Sequence, residues 1–205
     1  MNGDVETDSA VAAGFPRGRL AFLATSNLHK FHEARGLLSE YGIATAMLRK
    51  LAPVEIQDDN IENIASTSAV DAVSKCNLPL IVEDAGLFIP ALRDFPGPYS
   101  SYVYRTVGND GILQLLEDAT DRTAYFKSVV AFFSPRMKKP VCFSGQTHGE
   151  ITAEKRGHQG FGFDPIFQPA TSSHTFAEMT LEEKNECSHR SCAFRSFAAW
   201  YAADL

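Results

Sequence analysis

Residues 20–41 have the sequence LAFLATSNLHKFHEARGLLSEY, and they decide the expected fold. The run from Leu20 to Ala24 is short and apolar, as in a strand buried inside a sheet. A polar turn follows, and apolar residues then recur at i, i+3, i+7 and i+10, on one face of a helix: Phe31, Ala34, Leu38 and Tyr41. This order of strand, turn and helix is typical of α/β proteins.

Further strands and helices are predicted along the chain. Apolar or Val-, Phe- and Thr-rich runs predict strands at Ile43–Leu48, Leu78–Val82, Ala124–Phe133 and Val141–Ile151. Helical spacing predicts helices at 61–76 and 110–117, and a last helix with Ser188 as its N-cap. Strands and helices alternate early and a strand pair comes late, so we expect an α/β fold with a mixed central β-sheet and flanking helices.

The chain is expected to form a single domain. Its 205 residues suit one domain at 19–205, folded as two lobes around a cleft. Residues 1–18 lack the basic start and apolar stretch of a secretory signal and are expected to form a flexible tail. No apolar run is long enough to span a membrane, and the four cysteines include no CxxC pair, which favours a reducing cytoplasm.

The net charge limits the classes of partner. The formal charge is -6 and no basic stripe is visible, which argues against a nucleic-acid partner. A small anion remains compatible with this balance, because a local lysine, a helix N-terminus and a metal ion can neutralise it inside an acidic protein.

The polar turn after the first strand is a candidate anion site. It consists of Thr25, Ser26, Asn27, Leu28, His29 and Lys30. Backbone N–H groups and the positive end of a helix would face the anion, Lys30 would add a charge, and Asn27 could donate its amide. The alternative is an ordinary capped helix start with a solvated lysine, which the spacing alone favours. No GxxxxGK[ST] motif occurs, so the turn is not a P-loop.

The acidic pair Glu83-Asp84 follows the apolar run LPLIV, at the expected end of a strand. Strand ends are where open α/β sheets place their ligands, and two carboxylates there would suit a hard cation. Glu55 and the 58–59 aspartate pair are further candidate oxygen ligands. The alternative is a solvated acidic turn.

A glycine-rich segment at 157–165, GHQGFGFDP, is a candidate site for a flat ligand. Glycines let the backbone approach such a ligand, and a phenyl ring offers a stacking face. The segment lies in no strand-turn-helix context, which excludes a dinucleotide-binding fingerprint. The alternative is a glycine-rich loop with two core phenylalanines.

The charged run at 182–190, EEKNECSHR, leads into the last helix. His189 and Arg190 would lie in its first turn, where the helix dipole disfavours cations, and a bound acceptor group would explain their place. The alternative is a solvated charge run. A zinc site at Cys187, His189 and Cys192 is disfavoured, because this spacing does not share one helix face and no fourth ligand is evident.

Together, these motifs resemble the inosine triphosphate pyrophosphatase family, also called noncanonical purine NTP pyrophosphatases. The resemblance runs from about residue 20 to the C-terminus. It rests on an ordered series of segments: TSNLHK at 25–30, VEDAGL at 82–87, FPGPYS at 95–100, GFGFDP at 160–165, TFAEM at 175–179, and EKN and SHR at 183–190. It implies a fold shared with Maf-like nucleotide pyrophosphatases, and Mg²⁺-dependent hydrolysis of ITP, dITP or XTP to the monophosphate and pyrophosphate.

The resemblance also implies roles for residues. Asn27 and Lys30 would contact the triphosphate, Glu55 and Asp84 would bind the metal, and Asp84 would be the proton acceptor. Ala85 stands where the family usually has Ser or Thr, so a hydroxyl contact to the substrate is lost there. The base pocket would consist of Phe161, Gly162, Phe163, Asp164, Lys184, His189 and Arg190. The family resemblance further implies a homodimer.

Three alternatives stay open at this point. A nucleotide sensor would keep the pocket without turnover. A nucleic-acid-binding module would use Phe161 and Phe163 for stacking, although the net charge argues against it. A related pyrophosphatase could act on modified pyrimidine triphosphates, which would change only the base pocket.

Overall fold

A computed structural model describes residues 19–203, so the tail predicted at 1–18 lies outside the described residues. The described strands form one 7-stranded sheet, with β1, β2 and β3 parallel and the other pairs antiparallel. The spatial order is β2-β1-β3-β5-β6-β7, with β4 beside β3. The strands are β1 Arg19–Ala24, β2 Ile43–Leu48, β3 Leu80–Ile89, β4 Phe95–Gly97, β5 Thr123–Phe133, β6 Val141–Ile151 and β7 Phe167–Pro169. The predicted mixed α/β sheet is confirmed.

Helices flank this sheet on both faces. They are α1 Leu28–Glu40, α2 Ile61–Cys76, α3 Ser100–Thr106, α4 Gly108–Leu115, α5 Leu181–Cys187 and α6 His189–Ala203, with short 3₁₀ turns at Pro90–Leu92 and Asp164–Ile166. Within residues 19–203, no helix is both long and apolar enough to cross a membrane. Ser188 caps α6 as predicted, because its hydroxyl oxygen accepts a hydrogen bond from Ser191 N at 3.1 Å.

Different helices cover the two faces of the sheet. On one side, called the α6 face, α1 and α6 pack their apolar residues against Ile81 and Val130. On the other side, called the α2 face, α2 packs against Val82 and Val129. A further core cluster around Phe126 lies toward the far end of β3 and β5. The division into two lobes stays a prediction.

Strand β3 is longer than predicted. The expected strand ended at Val82, but the structure continues it to Ile89. The reason is non-local: β5 pairs antiparallel with β3 from Leu80 to Phe88 and gives the acidic residues backbone partners. Because side chains alternate along a strand, Glu83 points to the α6 face and Asp84 to the α2 face.

One edge of β3 is left open beside the acidic pair. β1 pairs with β3 only through Leu23 and Ile81, and β4 pairs with it only from Leu87 onward. Among the described residues, no strand pairs with 83–86 on this edge. Instead, Lys30 Nζ donates to the Glu83 carbonyl oxygen at 3.2 Å. This gap, where the strand order changes, is the kind of crevice in which α/β sheets bind ligands.

A glycine on β6 lets α6 approach the sheet closely. A Cβ on Gly145 would lie 2.2 Å from the His189 carbonyl oxygen and 2.6 Å from Ala193 N. We expect Gly145→Ala to lower the free energy of unfolding by at least about 1–3 kcal/mol, because neither backbone atom can yield cheaply. Urea unfolding monitored by circular dichroism measures this change.

Gly36→Ala is the matched control for that substitution. Gly36 lies on the exposed side of α1, where a new Cβ would meet only Asn185 Nδ2 at 3.7 Å. It should stabilise the protein by about 0.5–1 kcal/mol, because alanine favours a helix interior more than glycine does. If Gly145→Ala unfolds at the wild-type urea concentration, α6 does not lie this close to β6.

Candidate active site

A chain of ion pairs crosses the interior on the α6 face. Acidic and basic side chains alternate along it, in the order Asp164, Lys184, Glu33, Arg190, Glu83 and Lys30. The successive N···O distances are 2.6, 2.9, 2.6, 3.0 and 2.8 Å. All members except Lys30 are buried, so each charge is compensated by its neighbours rather than by water. The alternative of a solvated charge run is therefore wrong for Lys184, His189 and Arg190.

Both carboxylate oxygens of Glu83 take part in ion pairs of this series. Its Oε1 accepts hydrogen bonds from Ser128 Oγ at 2.6 Å and Arg190 Nε at 3.0 Å, and its Oε2 pairs with Lys30. Burial alone would raise the pKa of Glu83, but the charges of Arg190 and Lys30 outweigh it and hold that pKa well below its usual range. Glu83 therefore stays ionised with a basic neighbour at each oxygen, although its Oε2 accepts no hydrogen bond within residues 19–203.

The pKa of Asp84 is shifted in the opposite direction to that of Glu83. Burial, together with the charges of Glu83 and Glu55, raises its pKa to about 6, against the lowering effect of Lys30. Its Oδ1 accepts the Ala85 N–H at 2.9 Å, and no basic side chain among residues 19–203 pairs with it. A carboxyl group with a pKa near neutrality can accept a proton during catalysis.

Glu55 is a second predicted metal ligand whose charge acts on Asp84, in addition to that of the neighbouring Glu83. It is exposed, on the loop before α2, and its charge raises the pKa of Asp84. Asp58 instead stabilises the start of α2, because its oxygens accept hydrogen bonds from Asn60 N at 2.7 Å and from Asn63 Nδ2 at 3.0 Å. No cluster of three or more potential metal ligands occurs in the part of the chain that the structure describes.

The turn at 25–30 is held by local hydrogen bonds and by the ion pair of Lys30 with Glu83. Asn27 Oδ1 caps α1 by accepting from Lys30 N at 3.2 Å, and Thr25 Oγ1 accepts from Asn27 N at 3.1 Å. Ser26 and Leu28 are exposed. The alternative of a solvated lysine is wrong, because the Lys30 side chain is only 19% exposed and is paired with Glu83.

Phe161 is surrounded by groups from distant segments. The His29 ring stacks on it at a centroid distance of 5.2 Å, and Lys184 Nζ and the Arg190 guanidinium carbon lie 5.1 and 5.4 Å from its centroid. A cavity of about 180 Å³ opens beside this group and is lined by His29, Glu33, Gly160, Phe176 and Lys184, among others. The rings of His29 and Phe176 line this cavity and can stack against a flat ring, whereas one face of Phe161 is covered by His29.

The neighbours of Phe161 are more deeply placed. Phe163 is a core residue, so the alternative of core phenylalanines holds for Phe163 and not for the half-buried Phe161. Asp164 Oδ2 accepts both Phe161 N, at 2.8 Å, and Lys184 Nζ, at 2.6 Å. Gly162 has a φ of 64° and its carbonyl accepts from Asn109 Nδ2.

His189 is buried and electrically neutral. It stacks on Phe126 at 4.5 Å, and burial, reinforced by the nearby Arg190 charge, lowers its pKa well below the usual value. Its Nδ1 has no hydrogen-bond partner within the described residues. A buried polar atom without a partner is costly, and a ligand could supply the missing bond.

The structure assembles these residues from separate segments and adds two that sequence reasoning missed. Glu33 and Ser128 hold the centre of the ion-pair chain. Glu33 did carry a signal, because it interrupts the buried stripe of α1 one turn before Leu37. Of the three residues in the disfavoured zinc set, Cys192 is exposed, Cys187 is half-buried and His189 is buried.

Comparisons with known proteins found a family and relatives that match most of this chain. The model of the Ham1 family matches residues 21–200. The dITP/XTP pyrophosphatase of Methanopyrus kandleri is 48% identical over 178 residues, covering 87% of this chain and 94% of the relative. That of Pyrococcus horikoshii is 48% identical over 184 residues, covering 90% and 97%.

Solved structures agree with the sequence relatives. The Ham1 protein of Staphylococcus aureus superposes with a TM-score of 0.78 at 27% identity, covering 91% of this chain and all of that one. A HAM1 protein from Coxiella burnetii gives a TM-score of 0.76 at 32% identity, covering 89% of this chain and 98% of its own.

Proposed function

Because the chain belongs to the Ham1 family, we propose that it is a pyrophosphatase that hydrolyses noncanonical purine nucleoside triphosphates, such as ITP, dITP and XTP, to the monophosphate and pyrophosphate. The observation that carries this proposal is the 48% identity, over nearly their whole length, to relatives named dITP/XTP pyrophosphatases. The site also supports it, since the start of α1 with Lys30, a carboxyl group with a pKa of about 6 and an aromatic ring beside two buried cations lie around the open edge of β3.

The base is read on the α6 face. Phe161 stacks on the purine. The 6-oxo group of the base accepts hydrogen bonds from N–H groups of Lys184 and Arg190 that are not used within the ion-pair chain. Lys184 uses two of its three N–H groups on Glu33 and Asp164, and Arg190 keeps N–H groups beyond those bound to Glu83 and Glu33. Adenine has an amine at this position and would leave a buried donor unpaired, at a cost of about 1–3 kcal/mol.

The hydrolysis takes place on the α2 face. Asp84 accepts a proton from the water that attacks the α-phosphorus, the bond between the α- and β-phosphates breaks, and pyrophosphate leaves. Lys30 and the N-terminus of α1 compensate phosphate charge beside it. In this assignment Asp84 touches the reacting water and Glu83 acts only by holding Lys30 and Arg190 in place.

We propose Mg²⁺ as the cofactor, bound by Glu55 and Asp84. The donor set fits this ion, because Mg²⁺ commonly takes one or two carboxylates and completes its shell with waters and substrate phosphates. Burial is the main reason why the pKa of Asp84 is raised, and the charge of Glu55 adds a smaller repulsion that a cation would relieve. When bound, the ion supplies charge neutralisation for the phosphates.

We also propose a homodimer in the cytoplasm. Apolar and aromatic side chains are exposed along β4, α3 and the start of α4: Phe95, Tyr99, Tyr102, Tyr104 and Val107. Tyr102 is 62% exposed, and tyrosine is enriched at interfaces between subunits. Size-exclusion chromatography with light scattering should give twice the chain mass for the wild type and a monomer for Tyr102→Glu. A monomeric wild type would refute the dimer.

The test of the function is a substrate panel. The purified protein is incubated with magnesium and separately with ITP, XTP, ATP, GTP and dUTP, and the products are identified by chromatography. Monophosphate and pyrophosphate from ITP or XTP, with ATP and GTP largely untouched, is the expected result. Preferential hydrolysis of dUTP would overturn the base pocket, and no turnover of any nucleotide would overturn the enzyme.

A further inference from the structure

Lys127 lies close to Asp84 but belongs to none of the motifs singled out above. It is on β5, directly opposite Gly86, while Asp84 is opposite Val129. Side chains two residues apart on a strand share a face, so Lys127 and Asp84 both project from the α2 face. Diagonal neighbours of this kind have Cα atoms about 7–8 Å apart, within reach of a long side chain.

Among the described residues, the Lys127 ammonium group has no partner. The side chain is half-buried, yet it makes no ion pair and no hydrogen bond within residues 19–203. The other cations beside the site differ in this respect, because Lys30, Lys184 and Arg190 are all paired with buried carboxylates. An ammonium group that makes no ion pair within these residues can donate its N–H groups to an anionic ligand.

Lys127 lies across β3 from the open edge, because β5 pairs with the opposite edge of that strand. On one side along β5, Tyr125 stacks on Phe88 at 4.9 Å, and on the other side Val129 packs in the core under α2. Across the ladder, Gly86 has no side chain, and the Gly97 carbonyl oxygen lies 2.3 Å from where its Cβ would be. The lysine therefore has packed neighbours along its strand and, across the ladder, a glycine whose α2 side is covered by the Gly97 backbone.

We propose that Lys127 binds the β- and γ-phosphates of the substrate and the pyrophosphate that leaves, which rests on the function proposed above. The base is read on the α6 face and Asp84 stands on the α2 face, so the phosphates beyond the α-phosphorus extend toward the face that carries Lys127. Pyrophosphate gains negative charge as the bond breaks, and a fixed cation beside it stabilises that change.

Product binding tests this role separately from turnover. Isothermal titration in magnesium buffer measures the affinity of the whole protein for pyrophosphate and, separately, for IMP. Lys127→Met, which removes the charge and keeps most of the volume, should weaken pyrophosphate binding about tenfold or more, the loss of one charge-assisted hydrogen bond. Its affinity for IMP should stay within about twofold of the wild type.

Two further variants complete the design. Lys127→Arg should retain most of the pyrophosphate affinity, because the charge remains, which separates a lost charge from a disturbed strand. Lys139→Met, at an exposed position in the turn between β5 and β6, should change neither affinity. Unchanged pyrophosphate binding in Lys127→Met, equal weakening of both products, or a wild type that does not bind pyrophosphate would each overturn the proposal. An inactive wild type in the substrate panel refutes the proposed function instead, since that panel uses no Lys127 variant.

Discussion

Asp84→Asn is expected to lower turnover of ITP by a factor of about 10²–10⁴ or more while making the metal-free protein more stable at neutral pH. The loss of turnover follows because asparagine cannot accept the proton of the attacking water, and proton transfer by a positioned side chain contributes a factor of this size. A steady-state assay with saturating magnesium measures this effect. Turnover near the wild-type value would refute the assignment of Asp84.

The gain in stability follows from the raised pKa of Asp84. The pKa is about 6 in the folded protein, against an ordinary value of 3.8. Between these values the unfolded chain releases its proton first, so this group lowers the free energy of unfolding as pH rises through the interval, by a total on the order of 3 kcal/mol above pH 6. Asparagine does not ionise, so the free energy of unfolding of Asp84→Asn does not fall in this way as pH rises.

Thermal unfolding in EDTA measures this second effect. Asp84→Asn should melt several degrees above the wild type at pH 7.5, at roughly 2–4 °C for each kcal/mol, and the difference should vanish below about pH 4. Asp118→Asn, at an exposed position, should change neither turnover nor melting temperature. A less stable Asp84→Asn at pH 7.5 would contradict the desolvated carboxyl group.

Arg190→Ala should lower the free energy of unfolding by about 3–5 kcal/mol. The guanidinium pairs with Glu33 at 2.6 Å and Glu83 at 3.0 Å, and its removal leaves both carboxylates short of a partner in the interior. The destabilisation should be larger at pH 8 than at pH 5, because burial then raises the pKa of both acids and protonation relieves the cost. Urea unfolding at the two pH values measures the difference.

The same helix provides the control for this change. Arg195 is 34% exposed and lies 3.7 Å from Glu40, which is half-exposed, so Arg195→Ala should change stability by less than about 1 kcal/mol. If Arg190→Ala costs no more than Arg195→Ala, the buried ion-pair chain does not carry the stability assigned to it. Activity of Arg190→Ala has to be compared at a temperature where the variant is fully folded.

Local features of this chain were predictable from its sequence. The bounds of β2, α2 and β6 and the cap at Ser188 match, because apolar periodicity and capping depend on neighbouring residues. The full length of β3 was not predictable in this way, since its second half exists only through pairing with β5.

The segments that form the candidate site were predictable from the sequence, but the contacts between those segments were not. The turn at 25–30 and the acidic pair are marked by residue type alone. The contact between Glu33 and Arg190 joins residues 157 positions apart, and no periodicity within a segment can indicate it. Lys127 likewise shows its significance only when Gly86 and Asp84 lie beside it.

Glu83 and Asp84 point to opposite faces of β3, so substitutions that affect the base and substitutions that affect hydrolysis fall on different sides of one strand. Substitutions beneath α6 can alter which base is accepted without moving the carboxyl group that serves hydrolysis, because the strand itself lies between them. Insertion of one residue before Glu83 would exchange the two faces and disable both at once. Base choice can therefore drift among descendants of such a chain, whereas the register of this strand cannot.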